Sequence, residues 1–176
     1  MKTACFAMLF AAISPLLARS YDEAWWVDAR FVPSEQTIEG IPIRQLDRSW
    51  AAASPLRESA LPKEASVPGD TLKDNNAAFQ MDGDVNHDGR PDRLLVGVYR
   101  TTSGKTGEFL LILMRKPNGQ WTKAKLFKNE GKAGFSALFN FPDRILWGFC
   151  FECDVSCILN PSRSGWKLDC DTEPDV

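Results

Sequence analysis

The chain has one histidine, His87, in 176 residues. A Ser-His-Asp or Cys-His nucleophilic apparatus would have to use it. Beyond the first twenty residues the chain also lacks any apolar run approaching the roughly 20 residues needed to cross a bilayer. It has no dominant charge either: 21 basic residues face 23 acidic ones, for a net charge of −2. Nucleic-acid binders derive affinity from neutralising phosphates, so this balance argues against one.

What is present begins with the marks of export. Residues 1–20, MKTACFAMLFAAISPLLARS, place Lys2 before an apolar run from Ala4 to Ala18 and end on Ala18-Arg19-Ser20, with small residues at the two positions a signal peptidase reads. The expectation is a cleaved signal peptide and a periplasmic or secreted product of about 156 residues, enough for one domain. Cys5 lies ahead of most of the apolar run, a poor position for lipidation after cleavage.

Four cysteines remain, Cys150, Cys153, Cys157 and Cys170. An even number in an exported chain favours disulfides, with three possible pairings. A hairpin turning at Pro161-Ser162-Arg163-Ser164-Gly165 would set Cys157 opposite Cys170 and leave Cys150 to Cys153. The C-x-x-C spacing also fits a redox pair or, with the other two sulfurs, a four-thiolate zinc site. Structural disulfides are the preferred reading, because Cys150 ends a strand-like run instead of starting a helix.

From Tyr21 to Asn76 the chain is irregular and rich in Pro, Ser and Ala. Two short helices are expected there: Leu46 to Ala53, and one capped by Ser54 with Pro55 at its first position. From residue 77 to 176 apolar runs alternate with turns. Leu94–Tyr99 and Phe109–Met114 read as buried strands, Trp121–Phe127 as a half-exposed one, and Ile145–Phe151, Ser156–Leu159 and Trp166–Asp169 complete about six. The expected fold is mainly β, an antiparallel sheet or sandwich forming one domain with the N-terminal portion; α+β is the other option. Pro91-Asp92-Arg93-Leu94-Leu95-Val96-Gly97 is echoed at Pro142-Asp143-Arg144-Ile145-Leu146-Trp147-Gly148. Two copies cannot close a propeller, and Pro-Asp is a common strand entry.

The sharpest chemical signal is residues 83–92, GDVNHDGRPD. Counting from Asp84, Asn86 stands at position three, Asp88 at five, Gly89 at six, Arg90 at seven and Asp92 at nine. Alternate oxygens turn inward in such a loop, Gly permits the bend, and position seven contributes a backbone carbonyl, so Arg is acceptable there. His87, at position four, should point to solvent. An EF-hand is excluded, since Leu95 occupies the place of its bidentate Glu and the flanks read as strands. The spacing resembles the shortened D-x-N-x-D-G-x-x-D calcium loops of dockerins, thrombospondin type 3 repeats and the FG-GAP repeats of integrin-like propellers. The strand that follows favours the FG-GAP comparison. The resemblance covers about fifteen residues and implies a structural calcium held by Asp84, Asn86, Asp88, Arg90 and Asp92. The other reading is a metal-free turn, for which Asp, Asn and Gly are also favoured.

Six tryptophans, with Trp25 and Trp26 adjacent, raise carbohydrate stacking against ordinary core packing, which is favoured. The basic run Arg115, Lys116, Lys123, Lys125, Lys128 and Lys132 reads as the wet face of a hairpin. The chain is also similar to small exported bacterial proteins with no attached activity, through Glu39-Gly40-Ile41-Pro42, Leu61-Pro62-Lys63-Glu64 and the Trp147–Cys157 block. The leading expectation is a calcium-binding, non-enzymatic binding or accessory module of the cell envelope, with an unidentified protein or envelope ligand as partner. Two alternatives are an inhibitor or immunity-type protein that blocks a secreted enzyme, and a hydrolase using Asp or Glu, although no carboxylate pair is marked out.

Overall fold

A computed structural model describes residues 24–153, 156–162 and 165–170. The expected signal segment lies outside them. The described chain opens with helix α1 (Trp25–Asp28), the minimal hairpin β1 (Thr37–Ile38) and β2 (Ile41–Pro42), and helix α2 (Ile43–Leu46). Strand β3 (Trp50–Pro55) follows, then two 3-10 turns (Glu58–Ala60 and Lys63–Ser66) and the short strands β4 (Ala77–Ala78) and β5 (Gln80–Gly83). The remainder is β6 (Asp92–Thr101), β7 (Thr106–Arg115), β8 (Trp121–Glu130), β9 (Ala137–Phe141), β10 (Arg144–Gly148), β11 (Ser156–Ser162) and β12 (Gly165–Cys170).

The mainly β, antiparallel expectation holds, with two five-stranded sheets in place of about six strands. One runs β3-β6-β7-β8, with β5 pairing the first part of β6 in line with β3; the other runs β12-β11-β10-β9-β4. The apolar runs in β6 and β7 are continuous because both faces of these strands are covered. Leu94, Val96, Val98, Leu110 and Ile112 turn to the core shared with Leu138, Trp147, Leu159 and Trp166 of the second sheet. Leu95, Tyr99, Phe109, Leu111 and Leu113 turn the other way, onto Ile38, Ile43, Leu46 and Trp50. The hairpin β1–β2 and α2 are therefore the lid of a second core, which explains why so little regular structure holds the N-terminal portion in place. Gly97 sits where any Cβ would collide with the Phe109 ring and the Ser54 carbonyl, so strand proximity itself demands glycine there.

Both expected N-terminal helices are corrected. Only Leu46 of the first lies in a helix, at the end of α2, and from Trp50 the chain is a strand. Trp50 is fully buried, stacked on Tyr99 with ring centroids 5.4 Å apart. Burial of this ring and pairing with β6 outweigh the small helix preference of three alanines. Ser54 caps no helix; its Oγ accepts the N–H of Ser34 at 2.9 Å. Pro55 closes β3, an edge strand, where its missing N–H is tolerated. At the other end of the chain, β10 stops at Gly148, short of the expected Phe151, and β9 carried no strand signal strong enough to read, whereas the short β4 and β5 fall on the flank ahead of the acidic loop that reads as strand.

Candidate functional site

The acidic loop joins β5 to β6, whose pairing ends at Gly83 opposite Asp92. The expected β-loop-β setting is thus present. His87 and Gly89 adopt left-handed backbone, with φ of 56° and 84°, and the turn is knitted by side chains bonding to backbone. Asp84 accepts the N–H of Asp88 on one oxygen at 3.0 Å and of Gly89 on the other at 2.9 Å. Asn86 Oδ1 also accepts from Asp88 N–H, at 3.0 Å, and Asp88 accepts from Arg90 N–H at 2.9 Å. Asp92 reaches back under the loop, where one oxygen, Oδ2, accepts the N–H groups of Val85 at 3.1 Å and Asn86 at 3.3 Å.

The burial of these groups is uneven. Asp84, Asp88 and Arg90 are exposed, Asn86 is buried, and Asp92 has no exposed surface at all. The second oxygen of Asp92, Oδ1, is buried with no hydrogen-bond partner. Burial pushes the Asp92 carboxyl above its usual range; the two backbone N–H groups offset this in part, and the neighbouring charges of Asp88 and Asp84 add to it. A buried carboxylate oxygen without a donor is costly, so some cation or proton is called for.

Asp82, the acid upstream, is committed elsewhere. Arg93 grips it with Nε at 2.7 Å and a second nitrogen at 2.8 Å, and reaches Glu39 on the β1–β2 hairpin at 2.7 Å. This fork holds the Asp82 carboxyl below its usual range. Among the described residues no three His, Cys, Asp or Glu side chains already converge as a metal cage. The Asp84 and Asp88 oxygens instead each accept one N–H, from backbone or from the Asn86 amide, and keep a further lone pair, while Asp92 Oδ2 accepts two and its Oδ1 none. The residue types therefore fit a hard cation. Asp84, Asn86, Asp88, the Arg90 carbonyl and Asp92 are the groups that would hold it, and their orphan buried oxygen is the strongest point of fit.

The cysteines pair as two disulfides, Cys150–Cys153 and Cys157–Cys170, and do not form a single four-sulfur cluster. Cys157 lies directly opposite Cys170 in the β11–β12 ladder, as the hairpin reasoning required. His87 is exposed. Trp25 and Trp26 are buried in an aromatic cluster with Phe135 and Phe151, so neither offers a sugar platform. Of the basic run, Lys123 donates to the Leu46 carbonyl at 2.7 Å and Lys128 pairs with Asp47 at 2.6 Å, which clamps β8 to the end of α2. That part of the hairpin face is a fastening as well as a wet surface.

Two features escaped the sequence reading. Glu108 on β7 is buried, and Arg90, Arg115 and Lys116 share one cleft. For Glu108 a signal existed, a lone acid heading the run FLLILM. No helix among the described residues is long and apolar enough to cross a membrane. The chain matches no protein-family model, no curated protein and no solved structure.

Proposed function

We propose that the chain is an exported, non-enzymatic binding or accessory module of the cell envelope whose β5–β6 loop holds a structural calcium ion. The carrying observation is Asp92: it is completely buried beneath the acidic loop, and one of its own oxygens has no donor among the described residues. Calcium would supply charge for Asp84, Asp88 and Asp92 together and tie the loop to the start of β6. Export is supported by the leader-like residues 1–20 and by two disulfides, which persist in oxidising compartments. A non-catalytic role is supported by the placement of His87, exposed on the loop and so poorly placed to act as a base.

With a short loop lacking a bidentate Glu, affinity is expected on the order of 10⁻⁴ to 10⁻³ M, suited to an extracytoplasmic setting. The test is isothermal calorimetry of the chelator-treated protein with calcium, paired with thermal melts. Saturable binding and a higher melting temperature are expected; identical melts and no binding heat would remove calcium from the proposal.

A further inference from the structure

Three cations gather at the outer side of the acidic loop. Arg90 from the loop, Arg115 at the end of β7 and Lys116 in the β7–β8 turn line a cleft of about 390 Å³ with Pro91, Pro117 and Gly119. No carboxylate among the described residues lines it. Among the described residues none of the three cations has a carboxylate partner, whereas Arg57, Arg93, Lys105 and Lys128 are each paired elsewhere. The chain carries more acids than bases, yet three positive groups border one hollow whose described lining holds no counter-charge.

The frame of this hollow is fixed by backbone. The N–H of Arg115 donates to the Pro91 carbonyl at 3.1 Å, that of Lys116 to Gln120 at 2.8 Å and that of Gly119 to Lys116 at 2.9 Å. Pro91 and Pro117 stiffen its two sides. The Arg115 guanidinium rests 5.9 Å from the centre of the Trp121 ring, whose other cation, Arg93, is already held by Asp82 and Glu39. The backbone frame and the Arg115 guanidinium thus start partly ordered, which lowers the entropy lost on engaging a ligand.

We propose that this cleft binds a phosphate group, and that calcium in the adjoining loop tightens it. Guanidinium forks match phosphate oxygens two at a time and an ammonium adds a point charge, so two arginines and a lysine suit that group. The second half rests on the calcium reading. Arg90 would give its carbonyl to the calcium and also lines the cleft, while the negative charge of Asp84 and Asp88 in the same loop would oppose an incoming anion. Calcium neutralises that repulsion, and linkage requires the phosphate to tighten calcium by the same factor.

The test is an NMR titration of the whole exported protein with methyl phosphate, with and without calcium, beside calorimetry with calcium alone. Saturable shifts at Arg90, Arg115, Lys116 and Gly119 are expected. Binding should weaken about tenfold in the Arg115→Ala, Lys116→Ala double variant and hold in Lys132→Ala, a cation outside the cleft. Saturating calcium should tighten it about fivefold, the lower end of ordinary coupling. The spectrum away from the cleft reports whether the double variant is folded, and Lys116→Gln, with a smaller loss, serves if it is not.

Absence of saturable shifts at these residues, or equal weakening in Lys132→Ala, overturns the cleft. Phosphate binding indifferent to calcium that calorimetry shows bound overturns the coupling. If calorimetry shows no calcium at all, that failure belongs to the loop, and the calcium-free titration still decides the cleft. Calcium-free sedimentation with phosphatidylglycerol vesicles, against phosphatidylcholine vesicles, separates the sources. Capture lost in the double variant assigns a lipid headgroup; methyl phosphate binding without capture assigns a free phosphorylated ligand; capture without methyl phosphate binding reduces the cleft to diffuse charge and overturns it.

Discussion

Asp92 and Glu108 are both buried carboxylates on adjacent strands of the same sheet, yet their surroundings treat them differently. Glu108 lies opposite Asn129 in the β7–β8 ladder, and the Asn129 amide donates to its Oε2 at 3.2 Å. Its Oε1 accepts the N–H of Gly134, from the β8–β9 connection, at 3.1 Å. Both oxygens are therefore answered by protein donors. Asp92 has two backbone donors on one oxygen and none on the other. Burial of a carboxylate is thus not itself a mark of function. The informative quantity is what remains unpaired after the neighbours have been counted, and by that measure Glu108 is a brace while Asp92 is left with an unanswered oxygen.

The difference should be plainest on truncation. Glu108→Ala leaves the buried Gly134 N–H without an acceptor and releases Asn129, and should cost about 2 kcal/mol in chemical denaturation, with or without calcium. Asp92→Asn should behave in the opposite manner. In chelator its effect should be under about 1 kcal/mol, since the change removes a buried charge along with an acceptor. At a calcium concentration about ten times Kd the wild type should gain about 1.4 kcal/mol, and Asp92→Asn should gain none. If calcium stabilised both proteins equally, the contrast between brace and site would collapse.

Parts of this contrast could be read in advance and parts could not. The D-x-N-x-D-G spacing located the loop and its flanking strand, because turn and ligand chemistry are local. The buried runs of β6 and β7 were legible for the same reason, as was the Cys157–Cys170 pairing, which follows from one hairpin. The strand at Trp50 was not: its local composition favours a helix, and only the partner strand β6 and the Tyr99 and Phe109 rings, about fifty residues away, make a strand preferable. Asp92 could be placed ninth in a loop from sequence, but its lone unpaired oxygen depends on packing. Asp82, just upstream of the loop, is taken up by Arg93, a pairing that only the folded β5–β6 ladder creates. The repeated Pro-Asp at Pro142-Asp143 shows the same limit, since Asp143 is exposed in a turn where Asp92 is buried.

A pH series sharpens the comparison with a smaller effect. Burial raises the Glu108 carboxyl above its ordinary range, opposed by the Gly134 and Asn129 hydrogen bonds and by Arg30. The folded protein therefore holds this proton more tightly than the unfolded chain does. Below the unfolded carboxylate pKa, about 4.3, both states are protonated; as pH climbs from there through the raised value, the unfolded chain ionises first and stability falls. Glu108→Gln lacks the titration, so wild type minus variant stability, followed by urea midpoints in chelator, should decline across that window and level off above it. A difference that rose with pH would mean that the Glu108 hydrogen bonds outweigh its burial, and the brace would be of the charged form.

The smallest effect concerns Asp84, which carries the same formal charge as Asp92 but faces solvent. Asp84→Asn loses one of two exposed acceptors, and water can replace it, so stability in chelator should change by less than about 0.5 kcal/mol. Its calcium affinity should fall about tenfold, leaving about 0.4 kcal/mol of the stabilisation at the concentration that gives the wild type 1.4. Asp92→Asn removes the whole gain because its oxygen is fully buried and has no donor among the described residues. Calcium titrations of the two variants followed by melting temperature decide this. Equal loss in both would make the loop a site of summed charge, in which burial of Asp92 has no special part. A residual response in Asp84→Asn alone would tie the ion to the buried oxygen, and so to the point where the loop enters β6.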